Sequence, residues 1–384
     1  MVQSLAKARL TLSQGVGLVC ILFLLLLTPL VLSNHPAGAA LSGLILIVIF
    51  FFPGYVLLGA GGMLPTGLRF LLSPIIGIVC LTTAYDVFAR AALGVVFADI
   101  RPDTLNLDET RLESLITPQT KAIIVVHYAG VSCAMEAILS IAARHGVRVI
   151  EDNAHGIFSR YQGRYTGTFG CLATQSFHET KNFTCGEGGA LVVNDTDLLE
   201  RALVIREKGT NRNRFFRGEV DKYTWVDLGS SYLPSDLLAA FLYAQLEARE
   251  SIQERRRRVW NHYFESLSEW AENNDVRLPV IPKDCEQAYH MFYMLLPSSA
   301  IRASLITHLK AQSVLSVFHY TPLHLSEAGR KFAARASNCP VTEDISDRLL
   351  RLPFYNDLTE LEQDRVIGTV MNYRAHSLSH VAMQ

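Results

Sequence analysis

Charge divides this chain into two unlike parts, and that division limits its possible folds more than any single motif does. No acidic residue occurs before Asp86, and the only basic residues before it are Lys7, Arg9 and Arg69. After Asp86, charges of both signs are frequent. Long stretches without charge are typical of membrane-spanning chain. The sequence therefore predicts an apolar membrane anchor, residues 1–83, followed by a globular body.

Three stretches of the apolar segment are candidates for entering a bilayer. Residues 15–33 carry no charge over 19 residues, and as a helix they would extend about 28 Å, close to the hydrocarbon thickness. A second stretch covers residues 39–60. The third, residues 70–84, is shorter and contains Pro74, so the segment predicts two or three hydrophobic helices.

Basic residues predict the topology of this segment. Lys7 and Arg9 favour a cytoplasmic N-terminus, and Arg69 favours a cytoplasmic second loop. Two membrane spans agree with both of these preferences and leave the globular body in the cytoplasm. A third full span would place the body on the opposite side of the membrane. We therefore predict membrane attachment through residues 15–60, with the body on the cytoplasmic face of the inner membrane. The alternative for the first stretch is a secretory signal peptide cleaved near AGAA at 37–40.

From residue 85 onward, short apolar β-branched runs alternate with stretches of helical periodicity, such as 132–146, which stops at Gly146. This alternation predicts an α/β fold with a mixed sheet covered by helices. A long helical stretch at 234–274 has Pro234 in its first turn. The predicted parts of the body are a large domain (84–232), connecting helices (233–274) and a small C-terminal α/β domain (275–384).

Cysteine and arginine patterns exclude other classes of protein. The seven cysteines contain no CxxC pair, which favours reduced intracellular thiols over a disulfide framework and predicts no metal site. No basic tract indicates nucleic-acid binding. The run RRRR at 255–258 lies in a helical, Glu-flanked stretch, and we interpret it as a solvated helix face.

Polar residues follow the ends of two predicted strands. A lysine amine in a partly apolar site can lose its proton and attack a carbonyl. Pyridoxal 5′-phosphate (PLP) held by such a lysine needs a carboxylate opposite its ring nitrogen and hydrogen bonds to its phosphate. Asp152, Ser176 and Lys181 offer these groups, and the GEGG turn at 186–189 allows close backbone approach. Each residue alone has a structural alternative, for instance Asp152 as a helix cap.

Several blocks resemble the DegT/StrS-type PLP-dependent sugar aminotransferases, and most closely those members that make dTDP-4-amino-4,6-dideoxygalactose. The blocks are VHYAGVSCAMEAI, VIEDNAHGIFSRYQGRYTGTFG, SFHETKNFTCGEGGALVVND, IREKGTNRNRFFRGEVDKYTWVDLGSSYLPSDLLAAF and VFHYTPLH. The resemblance covers residues 84–374. It implies an incomplete fold-type I aminotransferase. Family members begin their large domain with a segment that includes a turn binding the cofactor phosphate, and in this chain the apolar segment stands in its place.

The resemblance also implies roles for the cofactor residues. Lys181 condenses with PLP and moves the proton during transamination, and Asp152 pairs with the pyridinium nitrogen. His155 lies against the cofactor ring or its phenolic oxygen, and Ser176 binds the phosphate. Asn211 reaches the phosphate in the neighbouring subunit of a homodimer. Structural alternatives stay open for three of these: a buried histidine at 155, a strand cap at 176 and a turn residue at 211.

For the substrates, the resemblance implies L-glutamate as amino donor and a dTDP-linked 4-keto-6-deoxyhexose as acceptor. His324 would lie at the sugar-nucleotide end, with Tyr320 and His178 as further substrate-binding candidates; one of His319 and His324 is expected to be structural. Three hypotheses follow. The chain is a membrane-tethered enzyme of surface-polysaccharide precursor synthesis, a catalytically inactive aminotransferase-like fusion protein, or a membrane component of polysaccharide assembly.

Overall fold

The computed structural model describes residues 94–374. The predicted membrane stretches at 15–33, 39–60 and 70–84 lie outside the described residues. Between residues 94 and 374, no helix is both long enough and apolar enough to cross a bilayer.

Strands and helices alternate along the described residues, with three short 3₁₀ helices at 128–130, 196–198 and 323–325. The strands are β1 (Ala122–Val126), β2 (Arg148–Asp152), β3 (Arg160–Tyr161), β4 (Arg164–Tyr165), β5 (Leu172–Ser176), β6 (Gly189–Val193), β7 (Cys285–Glu286), β8 (Tyr293–Leu295), β9 (Val317–Phe318) and β10 (Leu349–Arg351). The helices are α1 (Glu109–Leu115), α2 (Met135–His145), α3 (Leu199–Arg206), α4 (Arg212–Phe216), α5 (Asp236–Glu247), α6 (Arg249–Asn273), α7 (Ser299–Ala311), α8 (Glu327–Phe332), α9 (Pro340–Arg348) and α10 (Glu360–Met371).

A four-stranded sheet in the order β1-β2-β5-β6 positions the residues of interest. Strands β1, β2 and β5 are parallel, and β6 is antiparallel to β5, which confirms the predicted mixed α/β sheet. Asp152 lies between Val126 and Thr174 in the register. The carboxyl ends of parallel strands meet at one edge of a sheet, where α/β folds bind their ligands. Asp152 and Ser176 both lie at that edge, as the sequence predicts.

The two faces of this sheet differ in their covering. Ile123 and Val125 of β1 are buried in a core shared with α2. Between them Ile124 is 54% exposed, so the opposite face carries exposed apolar side chains. Helix α2 ends where the sequence predicts, at Gly146, whose φ of 62° is a left-handed C-cap that glycine adopts without steric cost.

The predicted helical stretch at 234–274 consists of two helices, α5 and α6, which meet at Ala248. The Ser235 side chain accepts a hydrogen bond from the backbone N–H of Leu238 and caps α5. Pro234 therefore precedes the cap, and its predicted place in the first helical turn is wrong by two positions. The N-cap serine supplies the acceptor that the first turn needs, so helix formation begins after the proline.

The interpretation of residues 255–258 as a solvated face is wrong at one position. Arg256 is only 3% exposed. Its guanidinium donates hydrogen bonds to the carbonyls of Tyr289 (2.8 Å) and His290 (2.6 Å) and to Asn356 Oδ1 (2.7 Å). Burial lowers the pKa of Arg256 to about 9. The other three arginines are exposed, so α6 presents one arginine inward and three outward.

Replacing Arg256 with methionine is expected to lower the free energy of unfolding by about 3 kcal/mol, because two buried carbonyls lose their donors. The matched control is Arg258→Met on the exposed face of the same helix. Chemical denaturation of both variants measures the difference. Equal midpoints for the two variants would show that the buried hydrogen bonds contribute nothing.

A second core lies around the antiparallel three-stranded sheet β8-β10-β9. Helices α6, α7 and α10 contribute side chains to this core, among them the fully buried Tyr263, Leu305 and Val370. A third sheet, β4-β3-β7, pairs the hairpin at 160–165 with Cys285–Glu286. This pairing joins the segment after β2 to the chain that leads into β8.

Candidate active site

The lysine predicted to carry the chemistry lies in a loop that begins where β5 ends. Asp152 closes β2, and its Oδ1 accepts a hydrogen bond from the backbone N–H of Ala154 at 3.0 Å. Ser176 closes the neighbouring strand β5. Lys181 follows in the loop, close enough for the charge of Asp152 to act on its amine. The structure thus brings these two predicted residues together and places Ser176 on the adjacent strand end.

A buried asparagine fixes the lysine loop to a distant part of the chain. The backbone N–H of Lys181 donates to the carbonyl of His178 at 2.9 Å. The next residue, Asn182, is buried; its Nδ2 donates to the carbonyl of Ala288 (2.7 Å), and its Oδ1 lies 2.8 Å from Nδ1 of His290. Because Nδ2 is used by a carbonyl, Oδ1 is the acceptor, and His290 Nδ1 carries the hydrogen.

The electrostatic surroundings of Lys181 favour its free amine. Burial lowers the pKa of Lys181, the charge of Asp152 opposes this, and the positive charge of Arg351 lowers it further; the net shift is downward. The deprotonated amine is the form that attacks a carbonyl carbon and accepts a proton from carbon, and a lowered pKa increases its share.

Two histidine rings lie close enough for the charge of Lys181 to act on them. His155 stacks on His290, with ring centroids 4.1 Å apart and planes inclined by 16°. Burial, together with the charge of Lys181, lowers the pKa of His155 to about 3, and burial lowers that of His290 as well. Both rings are therefore neutral near pH 7. Nδ1 of His155 is buried without a hydrogen-bond partner in residues 94–374, an unsatisfied atom that a bound group would satisfy.

Aromatic side chains border the histidine pair. The hydroxyl of Tyr128 lies 3.2 Å from Nδ1 of His319, and the Tyr128 ring is 5.9 Å from that of His155. Tyr320, one of the predicted substrate residues, is 74% exposed, and its ring centroid lies 5.9 Å from Cζ of Arg351. The segment after β9 therefore forms one side of the same site.

Three other predicted residues already have hydrogen-bond partners within residues 94–374. His324 Nε2 lies 2.9 Å from Glu343 Oε1. Asn211 Oδ1 accepts from the backbone N–H of Thr224 at 2.7 Å. His178 is hydrogen-bonded within its own loop, at 2.9 Å. Their roles in binding substrate or phosphate stay predictions.

Several residues that the fold brings to the site around Lys181 are not predicted by the sequence. These residues are Tyr128, Asn182, His290 and Arg351. Tyr128 and Asn182 stand inside blocks that carry the family resemblance, VHYAGV and SFHETKN, so a signal was present for them. His290 stands in an apolar run that indicates only a strand, and Arg351 ends a stretch near 341–351 that is predicted to be helical, whereas the structure has a strand at Leu349–Arg351.

The residues at this edge fit PLP. Asp152 is a carboxylate suited to a pyridinium nitrogen, Ser176 offers a hydroxyl for the phosphate, and Lys181 offers an amine with a lowered pKa. The unpaired Nδ1 of His155 and its neutral ring fit a cofactor lying against it. An α/β fold that brings a lysine amine and a carboxylate together at its strand ends is the arrangement expected of a PLP-dependent transferase.

The chain belongs to the DegT/DnrJ/EryC1/StrS aminotransferase family, which matches residues 81–371. It is 34% identical over 304 residues to the pleiotropic regulatory protein of Geobacillus stearothermophilus, covering 77% of this chain and 78% of the relative. It is 31% identical over 283 residues to the spore coat polysaccharide biosynthesis protein SpsC of Bacillus subtilis, covering 72% of each.

Solved structures agree with this assignment. DesV from S. venezuelae, crystallised in complex with a ketimine intermediate, has a TM-score of 0.63 at 31% identity, with 72% of each chain covered. A DegT DnrJ EryC1 StrS aminotransferase from Brucella abortus has a TM-score of 0.64 at 30% identity, with the same coverage. The predicted family is confirmed, and because the family is PLP-dependent, so is the predicted cofactor.

Proposed function

We propose that this chain transfers the amino group of L-glutamate to a dTDP-linked 4-keto-6-deoxyhexose, as dTDP-4-amino-4,6-dideoxygalactose transaminase does, in the synthesis of surface-polysaccharide precursors. The observation that carries the reaction type is the amine of Lys181, whose lowered pKa and position near Asp152 and His155 suit proton transfer. The sequence blocks support the sugar. The name of the Bacillus subtilis relative, which refers to polysaccharide biosynthesis, supports the pathway.

Each residue at the site has a task in this reaction. PLP, when bound, supplies an electron sink for the electron pair left on the amino-bearing carbon. Lys181 would take up the proton released from that carbon and would move it between the two carbon atoms that exchange the amino group. Asp152 would pair with the ring nitrogen of the cofactor and favour its protonated form, and Ser176 would bind the cofactor phosphate. His324 and Tyr320 would orient the sugar nucleotide.

A homodimer completes the proposed site. Asn211 would contribute to the phosphate site of the neighbouring subunit, and the chain that follows it exposes large apolar side chains. Trp225 is 75% exposed, and Leu228, Leu237 and Phe241 are also exposed. Apolar patches of this kind mark protein–protein interfaces, so this surface supports subunit association.

The apolar N-terminal segment would place this activity at the cytoplasmic face of the inner membrane. The test uses cells that express the full chain, separated into carbonate-washed membranes and a soluble fraction. Each fraction is supplied with PLP, L-glutamate and the dTDP-4-keto sugar. We expect amino sugar and 2-oxoglutarate in the membrane fraction. Product in the soluble fraction alone would overturn the membrane assignment, and no product in either would favour the inactive fusion.

A further inference from the structure

The ring of His155 is held by packing rather than by hydrogen bonds. Within residues 94–374 no hydrogen bond reaches either of its ring nitrogens, although Nδ1 is buried. Two rings border it. The ring of Tyr128 lies at 5.9 Å and is tilted by 60°, whereas the ring of His290 stacks face to face, with centroids 4.1 Å apart and planes inclined by 16°. The stack on His290 is therefore the contact that sets the plane of the His155 ring.

Hydrogen bonds fix the ring of His290 itself. This residue is 8% exposed, and its Nδ1 donates to Oδ1 of Asn182 at 2.8 Å. Asn182 is held in turn, because its Nδ2 donates to the carbonyl of Ala288 at 2.7 Å. A hydrogen bond at one ring nitrogen fixes the tautomer and the orientation of an imidazole. The ring of His290 therefore cannot turn without breaking its bond to Asn182.

The backbone that carries His290 is also anchored. Arg256 donates hydrogen bonds to the carbonyls of Tyr289 and His290, at 2.8 and 2.6 Å. The N–H of Ala288 donates to the carbonyl of Gly130 at 2.9 Å. A side chain on a segment with this much support is preorganised, because its rotamer is locked before any ligand binds.

The charges around the pair favour two neutral rings. Burial lowers the pKa of both histidines, and the positive charges of Lys181 and Arg351 lower them further. The pKa of His319, which also acts on His155, is lowered to about 4 by burial. A proton on either stacked ring would add a positive charge close to these cations. Near pH 7 the stack is therefore uncharged.

We propose that His290 is a positioning residue: it fixes the ring plane of His155 and thereby presets the surface that His155 offers to PLP. This inference rests on the proposed contact of His155 with the cofactor. The unpartnered Nδ1 of His155 fits that contact, because a ring without a hydrogen bond of its own depends on its support until a ligand supplies one. His290 then contributes to cofactor affinity through His155.

The test compares substitutions at position 290 in the full chain. His290→Asn keeps a hydrogen-bond donor near the position of Nδ1 but removes the ring, and His290→Gln takes its place if that chain does not fold. His290→Phe keeps a planar ring. NMR of the PLP-free chain near pH 7, with ¹³C at Cε1 of its histidines, reports the ring-proton shifts, and His155→Gln identifies the signal of residue 155. Stacking shields a ring proton, so this signal should move downfield in His290→Asn and stay nearly unchanged in His290→Phe.

Titration with PLP measures the consequence for the cofactor. Loss of the stack should raise the PLP dissociation constant about 3- to 10-fold in His290→Asn. In a chain that already carries His155→Gln, the same substitution should change that constant by less than about twofold, because its effect passes through His155. The control is His308→Asn. His308 also forms one hydrogen bond and contacts an aromatic ring, but it lies on α7, so its substitution should leave both measurements unchanged.

Two results would overturn the proposal. An unmoved His155 signal in His290→Asn would show that His290 does not set the plane of that ring. An equal loss of PLP affinity with and without His155→Gln would show that His290 does not act through His155. A chain that binds no PLP would instead overturn the proposed function, and the NMR comparison, which is made without PLP, would still decide whether His290 holds the ring.

Discussion

Alanine at position 181 is expected to remove the lysine-dependent absorbance band of the PLP complex and to slow amino transfer severely. Lys181 supplies the amine that holds PLP and moves the proton, and proton transfer by a positioned side chain alone contributes up to about 10⁴-fold. We expect the rate of 2-oxoglutarate formation to fall at least about 10³-fold. Spectra at saturating PLP and single-turnover rates measure the two effects separately.

The matched control for this substitution is Lys121→Ala. Lys121 is exposed and precedes β1, at the edge of the sheet opposite the strand ends that carry the site. This variant should keep both the absorbance band and the rate. If Lys181→Ala retained the band of the unchanged chain, PLP would be bound through another amine, and the assignment of Lys181 would be wrong.

The site depends on contact between two separately cored parts of the body. Asp152 ends β2 of the four-stranded sheet and Lys181 lies in the loop after β5. His290 and Arg351 belong to the chain around the second core. Asn182 joins the parts through its hydrogen bonds to Ala288 and His290. The stack of His155 on His290 crosses the same boundary, so substitutions that loosen this contact should affect the histidine pair before they affect either core.

Local patterns were enough to place one half of the site. Short apolar runs of β-branched residues predict the strands, and in parallel strands the residues at the carboxyl ends must meet at one edge. These local patterns do not depend on contacts between distant parts of the chain. They are sufficient to predict Asp152 and Ser176 at the strand ends and Lys181 in the loop that follows.

The other half depends on tertiary contacts that periodicity does not encode. Arg351 lies 170 positions after Lys181 in the chain, in a strand whose register with β8 and β9 decides where its side chain goes. Arg256 is a different case, because it stands three, four and seven positions before Val259, Trp260 and Tyr263, all buried. This spacing marks the apolar face of a helix, so its burial could have been predicted.

Glutamine at position 151 is expected to destabilise the fold more than any other isosteric change at the sheet edge. Glu151 is fully buried. Its Oε2 lies 2.9 Å from Nε2 of His127 and accepts from the N–H of Gly167 at 2.7 Å, while its Oε1 accepts from the N–H groups of Phe169 and Gly170, both at 2.7 Å. The carboxylate thereby ties the turn at 167–170 to the end of β1.

The partner histidine cannot adapt to the change. The backbone N–H of Cys133 donates to Nδ1 of His127 at 3.1 Å, so Nε2 must carry the hydrogen that points to Glu151. All four groups facing Glu151 are therefore donors. In either orientation, the amide nitrogen of glutamine would face two of these donors. We expect the free energy of unfolding to fall by about 3–5 kcal/mol, measured by chemical denaturation near pH 7.

The same network predicts a dependence of stability on pH. Burial alone would raise the pKa of Glu151, but the hydrogen bonds from His127, Gly170 and Gly167 outweigh it, and the pKa lies below its ordinary value of 4.5. A carboxyl whose pKa is lower in the folded state contributes stability that is present above the unfolded-state pKa. That contribution is lost as pH falls through the folded-state pKa.

The denaturation midpoint of the unchanged chain should therefore fall as the pH drops below about 4.5. The midpoint of Glu151→Gln should fall less over the same pH range, because residue 151 no longer takes up a proton. Glu113→Gln is the control, since Glu113 is 52% exposed and its ion pairs with Arg144 and His145 lie at the surface. This control should leave the midpoint near pH 7 almost unchanged. If the denaturation midpoint of Glu151→Gln near pH 7 were close to that of Glu113→Gln, the buried network would add little to stability. If the midpoints of Glu151→Gln and of the unchanged chain fell in parallel as the pH drops, Glu151 would not titrate as its hydrogen bonds require.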